Sequence, residues 1–211
     1  MATDLSHVVS RIARPEWTLR VVQPEVGTAA NQAALAELDE AQLVSACLAG
    51  QREAFDLIVE RHRRSVYLLC YRFVGNHEDA SDLSQDVFVR AYKGLQRFRG
   101  QSSLGTWIYR IGVNVCLNRV SAKKPITEPI DARPHLDERA ADPAQELLRG
   151  ERASQVREAI AQLPRKQRAT VILRVYHELS HEEIAGILGS SVGAVKANFF
   201  HALGNLKRLL T

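Results

Sequence analysis

Acidic residues are missing from two parts of the 211-residue chain: none lies in 87–127, and none follows Glu183. Cysteine is scarce, and Cys47, Cys70 and Cys116 form no C-x-x-C pair. An odd, dispersed set excludes a disulfide framework and reads as reduced thiols in the core. No run approaches the roughly 18 apolar residues that a membrane span needs, so membrane insertion is not expected. The opening MATDLSHVVSRIARPEW has no apolar stretch of the signal-peptide kind, which makes the cytoplasm the expected location. β-Hairpin signals are absent too, and the expected fold class is all-α.

What is present suits a packed helical protein. Hydrophobic residues make up 45% and the formal net charge is +4. So mild a charge says little by its sum and more by its distribution. Residues 1–38 show no sustained period and read as a loosely ordered arm. From 39 to 121 the pattern is helical: Phe55, Ile58, Val59, Val66, Leu69, Cys70 and Phe73 recur at three- and four-residue steps. After a turn at Gly75-Asn76, Leu83, Val87, Ala91, Leu95 and Phe98 form a second stripe. Four of the seven prolines fall in 122–148, among charged and small residues, which reads as a linker. The helical period returns over 149–211. Two helical domains joined by a Pro-rich linker are therefore expected.

HELSH, residues 177–181, fits the zinc signature H-E-x-x-H. That site needs both histidines on one face of an unbroken helix. Ser180 intrudes, because S-H-E-E at 180–183 is a capping box followed by the apolar Ile184, Ala185, Ile187 and Leu188. A helix is expected to start at Ser180, between the two histidines. The Gly and the third His of a longer zinc motif would fall on Ile184 and Ile187. No metal site, no cofactor and no enzymatic chemistry are expected.

The capped helix ends at Gly189, and Ser190 or Ser191 can cap another that runs to about 210. Two helices joined by small residues make a helix-turn-helix pattern, with the second as recognition helix. On its wheel Val195, Phe199, Ala202, Leu203, Leu206 and Leu210 point inward. Ser191, Lys196, Ala197, Phe200, His201 and Arg208 are the candidates for duplex DNA. Small residues permit close approach, and cations meet phosphates.

The segment 87–127, free of acids, carries Arg90, Lys93, Arg97, Arg99, Arg110, Arg119, Lys123 and Lys124, with Phe98, Trp107 and Tyr109 among them. Cations with aromatics suit single-stranded nucleic acid, where phosphates need charge and unstacked bases need flat surfaces. Arg110, Asn114 and Asn118 step by four and share a helical edge. Asparagine amides there can read base edges. Ser102 and Ser103 lie in the small-residue loop RGQSSLG, which can pocket a flipped base. The candidate set is Phe98, Arg99, Ser102, Ser103, Trp107, Arg110, Asn114 and Asn118. Just upstream, Asp79, Asp82 and Asp86 form an acidic stripe, suited to a basic protein partner.

GNHEDASDLSQDVFVRAYKGLQRFRGQSSLGTWIYRIGVNVCLNRV resembles the region 2 domain of extracytoplasmic-function (ECF) RNA polymerase sigma factors, of the sigma-70 family. LPRKQRATVILRVYHELSHEEIAGILGSSVGAVKANFFHALGNLKRLL is similar to their region 4 domain. The resemblance implies an alternative sigma factor that binds core RNA polymerase and promotes promoter opening. It implies that Asp79, Asp82, Gln85 and Asp86 dock on polymerase. The loop at 98–105 and the helix with Asn114 would open and read the −10 element as single strand. The helix-turn-helix would read the −35 element as duplex. An anti-sigma factor is the implied restraining partner. The rival reading is a dimeric helix-turn-helix regulator that replaces no sigma factor.

Overall fold

The computed structural model describes residues 35–122 and 143–211, with side chains over 35–122 and 151–211. The expectations for an N-terminal arm and a Pro-rich linker fall, over 1–34 and 123–142, outside the described residues. Among the described residues there are eight α-helices and no strand.

The first lobe holds four helices: α1 (Glu40–Leu48), α2 (Arg52–Val74), α3 (His77–Gly94) and α4 (Leu104–Ala122). Asp39 caps α1 and forms a capping box with Gln42, with both bonds present. The α2–α3 corner needs a left-handed residue, and Gly75 supplies it at φ 80°. Asn76 then caps α3 by accepting the Asp79 N–H at 2.8 Å. A 3₁₀ turn (Leu95–Arg97) ends α3. Ser103 starts α4: its Oγ accepts the Thr106 N–H at 3.1 Å and its carbonyl accepts the Trp107 N–H at 3.1 Å.

Helices α2, α3 and α4 pack around Phe55, Ile58, Leu69, Cys70, Phe73, Val87, Phe88 and Ile108, all buried. Each large apolar side chain buried here contributes about 1.5–3 kcal/mol. The Phe55 and Tyr92 rings meet edge to face with centroids 4.9 Å apart. Cys70 and Cys116 are buried free thiols. A hydrogen bond that the Cys116 thiol donates to Cys70, and burial after it, push this thiol strongly up, so it stays protonated.

The second lobe comprises α5 (Pro143–Gln162), α6 (Arg165–Val171, continued by a π-helical turn Ile172–Tyr176), α7 (His181–Leu188) and α8 (Val192–Leu210). Helix α5 begins inside the stretch read as linker. Pro143 opens it, a position where the missing N–H costs nothing. Asn205 of α8 donates to the Gln167 side chain of α6 at 2.7 Å. The lobes are in contact, chiefly through α7 and the π-turn against α4 and α2.

Candidate nucleic-acid interface

Helix α4 presents Arg110, Asn114 and Asn118 as three exposed side chains on one edge, as their spacing predicts. At its start, Phe98 and Trp107 face each other with centroids 5.2 Å apart, both half-buried against the core. Trp107 also lies over Gly94, where an added Cβ would sit 3.3 Å from the indole. The two rings thus pack on each other rather than standing free. Arg99 and Ser103 are exposed, and Ser102 is half-buried. Ser103 Oγ is the N-terminal cap of α4, so this serine shapes the loop as well as lining it.

The acidic stripe on α3 divides by partner. Asp82 is exposed and Gln85 half-buried. Asp86 accepts Arg90 Nε at 2.9 Å within the same helix. Asp79 is engaged across helices: Arg119 Nη2 of α4 lies 2.6 Å from Oδ1, and Asn76 Nδ2 donates to Oδ2 at 2.8 Å.

The helix-turn-helix forms as its small residues predict. Ser180 accepts the Glu183 N–H at 3.1 Å, and the Glu183 carboxylate accepts the Ser180 N–H at 2.8 Å. Those bonds from Ser180 hold the Glu183 carboxyl below its ordinary value. The helix therefore starts between the two histidines of HELSH. His177 ends the preceding π-turn, and the His181 ring lies against Phe199 at 6.1 Å. Gly189 turns the chain at φ 57°, and Ser191 caps α8 through the Ala194 N–H at 3.2 Å. On α8, Lys196, Ala197, Phe200, His201 and Arg208 are exposed, with Phe200 at 74%.

One part of the wheel is corrected. Leu203 and Leu210, placed on the inward side, are 48% and 47% exposed. Val195 and Ala202 are fully buried, with Phe199 and Leu206 packed beside them. Leu203 falls on the flank of that arc, and Leu210 lies in the last turn of α8.

Comparison with known proteins accounts for both lobes. Residues 58–125 match the family model for Sigma-70 region 2, and residues 153–206 match that for Sigma-70, region 4. The RNA polymerase sigma-H factor of Pseudomonas aeruginosa is 33% identical over 80% of this chain and 92% of its own length. The ECF RNA polymerase sigma factor SigW of Bacillus subtilis is 31% identical over 76% and 91%. The chain belongs to the ECF RNA polymerase sigma-factor family. A solved structure of CnrH, in complex with the cytosolic domain of CnrY, is 27% identical with a TM-score of 0.57, covering 84% of this chain and 95% of that one.

In this sigma factor the lobes meet through polar groups that no sequence period announces. The Tyr109 hydroxyl lies 2.9 Å from Nδ1 of His177. Burial, with Arg72 nearby, pushes the His177 imidazole down to about 4, so it is neutral near pH 7. Burial also raises the Tyr109 phenol, against a smaller opposing bond to Ser65. Arg110 Nη2 donates to the Gly186 carbonyl at 2.5 Å, and Arg165 Nη2 to Asn118 Oδ1 at 3.4 Å. Arg72 stacks over the Tyr176 ring at 4.1 Å. Arg168, 7% exposed, donates to the carbonyls of Phe73 in the first lobe and Ala161 in the second. Among the described residues no three His, Cys, Asp or Glu side chains gather as a metal site, and no helix is long and apolar enough to cross a membrane.

Proposed function

We propose that the chain is an alternative sigma factor that binds core RNA polymerase, places it on promoters through −35 and −10 elements, and promotes opening of the DNA. The observation that carries this reading is the pair of region 2 and region 4 matches in one chain, in that order. Residues 39–121 take the polymerase and the −10 element, 149–211 take the −35 element, and 122–148 link them. The acidic stripe of α3 (Asp82, Gln85 and Asp86, with Asp79 at its head) docks on a basic polymerase surface. The exposed edge Arg110–Asn114–Asn118, with Arg99, Ser102, Ser103, Phe98 and Trp107 at its head, takes the unpaired strand. Ser191, Lys196, Ala197, Phe200, His201 and Arg208 face the duplex.

The chain makes and breaks no bond in this role. It supplies binding free energy, and opening follows from its higher affinity for the single-stranded form. The working compartment is the cytoplasm, where polymerase acts. CnrH was solved in complex with the cytosolic domain of CnrY, and a protein that binds this chain in turn, an anti-sigma factor, is the further partner proposed here. The deciding experiment adds the purified chain to sigma-free core polymerase on genomic DNA. Discrete transcripts that share upstream motifs support the reading. A homodimer that binds a palindrome tightly and starts no transcripts would put a helix-turn-helix regulator in its place.

A further inference from the structure

We propose that His62 is a positioning residue for strand capture: paired with Glu40, it braces the loop before α4 from behind and so sharpens the choice of base. This rests on the sigma-factor reading above, in which that loop takes an unpaired base. His62 and Glu40 belong to none of the candidate contact sets. Position 62 falls on the inward stripe of α2, one turn from Ile58, Val59 and Val66, and its side chain is only 13% exposed. A leucine would fill such a place without a partner. An imidazole brings polar atoms that are costly to bury unless they are met. Nε2 is met by Glu40 in the first turn of α1, 3.1 Å from Oε1. A carboxylate only accepts, so the ring carries its proton on Nε2. Burial holds this imidazole below its ordinary value, against the pull of Glu40, so near pH 7 it is neutral.

Helix α1 reaches both ends of the loop. Beside His62, Arg61 Nη2 donates to the carbonyls of Ala36 and Leu38 at 2.8 Å each. Two consecutive residues of α2 thus grip the entry and the first turn of α1. Leu43 and Val44 bury its inner side. Helix α1 also touches the 3₁₀ turn Leu95–Arg97, which leads into the loop. At the far end the His62 ring backs the start of α4. A Cβ added at Gly105 would stand 3.5 Å from His62 Cε1 and 4.0 Å from Ser103 Oγ. Ser103 Oγ lies 2.9 Å from Thr106 Oγ1 and caps α4. The line of support runs Glu40, His62, Gly105, Ser103, and Ser103 is a candidate for the unpaired strand.

The loop itself packs little. Gly100 stands at φ 67° with nothing within 4 Å of an added Cβ, and Gln101 and Ser103 are exposed. Its shape is therefore set by what holds its ends. At the front Phe98 rests on Trp107, and at the back Gly105 rests on His62. A pocket fixed before the strand arrives binds without an ordering cost and rejects a base that does not fit. A slack one admits more bases and holds each less well.

The test separates bracing from stability. His62→Leu fills much the same space without the bond, Glu40→Ala removes the acceptor, and His62→Gln keeps an N–H donor. Phe88→Leu, buried in the same lobe, is the stability control. In the free chain, trypsin should cut after Arg99 severalfold faster in His62→Leu and Glu40→Ala than in the parent or Phe88→Leu, read by mass spectrometry. With core polymerase, initiation is timed on promoters carrying each of the four bases at each non-template position near −10. The ratio of rates between best and worst base should fall severalfold in His62→Leu and Glu40→Ala. It should stay near the parent's in His62→Gln and Phe88→Leu. An unchanged ratio in His62→Leu overturns the brace, as does an equal fall in Phe88→Leu. An unchanged cleavage rate in His62→Leu does the same. A parent inert with polymerase counts against the sigma-factor reading instead, and cleavage after Arg99 still decides whether His62 holds the loop.

Discussion

The Tyr109 hydroxyl and the His177 imidazole, 2.9 Å apart, join α4 to the turn before α7 and so tie one lobe to the other. His177 is neutral in this place because burial disfavours its charge and Arg72 adds repulsion. Its Nε2 is buried with no partner among the described residues. In the unfolded chain the same imidazole has a pKa near 6.5, and in the fold it is about 4. Between those values the unfolded state binds more protons, so stability rises with pH there. The contribution is complete above about pH 6.5 and is lost as pH falls towards about 4. Thermal unfolding of the wild type and of His177→Gln should show it. The variant should lose part of the acid-side fall in midpoint. Parallel curves would remove His177 from the acid response.

Asp79 and Asp82 lie three residues apart on α3 and should behave differently. The Asp79 carboxylate is held by Arg119 and Asn76. Asp79→Ala should destabilise the first lobe by about 1–2 kcal/mol, towards the low end because Arg119 is partly exposed and solvent screens the pair. Charge reversal at Asp82 and Asp86 should leave the denaturant midpoint nearly unchanged and weaken association with core polymerase severalfold in a pull-down. If the double reversal binds polymerase as well as the parent does, the α3 stripe is not the docking face.

Gly112 sets how closely α4 approaches α2. A Cβ there would stand 2.9 Å from Leu69 Cδ2, and Leu69 is fully buried. Replacing a helix-interior glycine by alanine gains about 0.5–1 kcal/mol of backbone entropy. Overpacking a filled core costs about 1–3 kcal/mol. Leu69 Cδ2 must shift within a fully buried side chain, so the second effect is expected to win. Gly112→Ala should lower the urea midpoint of the first lobe, and an unchanged or raised midpoint would mean that Leu69 can repack.

Asn114 is exposed, and among the described residues its amide has no hydrogen-bond partner, in contrast to Asn118. An exposed amide of this kind has two donors and an acceptor with which to meet an unpaired base. Asn114→Ala should reduce promoter opening severalfold, read as permanganate reactivity of thymines near −10, while polymerase binding holds. Undiminished reactivity would take Asn114 out of strand capture.

The sequence makes helix ends and caps legible because they are local. Asp39, Gly75, Asn76, Ser180, Gly189 and Ser191 each stand where a backbone group lacks a partner or the chain must turn left-handed. The edge Arg110–Asn114–Asn118 is legible because period alone places it. What joins the lobes is not legible. Arg168 looks like one more surface cation among PRKQR, and only three-dimensional contact brings it to Phe73, far away in the chain. Tyr109 and His177 are likewise 68 residues apart. Leu203 and Leu210 misled the wheel because periodicity says which residues share a side, not how far the neighbouring helices extend along it.

Lys196 and Arg208 lie on the outer side of α8, twelve residues apart, so a phosphate backbone along the helix can meet both. Lys196 is exposed in the first half of the helix, the half that enters the groove when a recognition helix docks by its N-terminal part. Arg208 donates to Asn205, which is itself tied to Gln167 of α6, so its stem is fixed while further N–H groups remain. Each cation that meets a phosphate releases about one counterion. Lys196→Ala and Arg208→Ala should each lower the salt slope of duplex binding by about one, and together by about two, on promoter fragments found by mapping transcript starts. Binding of mutant holoenzymes across a salt series checks this. A slope that falls for Lys196→Ala alone would confine the phosphate contact to the front of α8. Equal slopes for the parent and both variants would mean that α8 meets the −35 duplex without these cations.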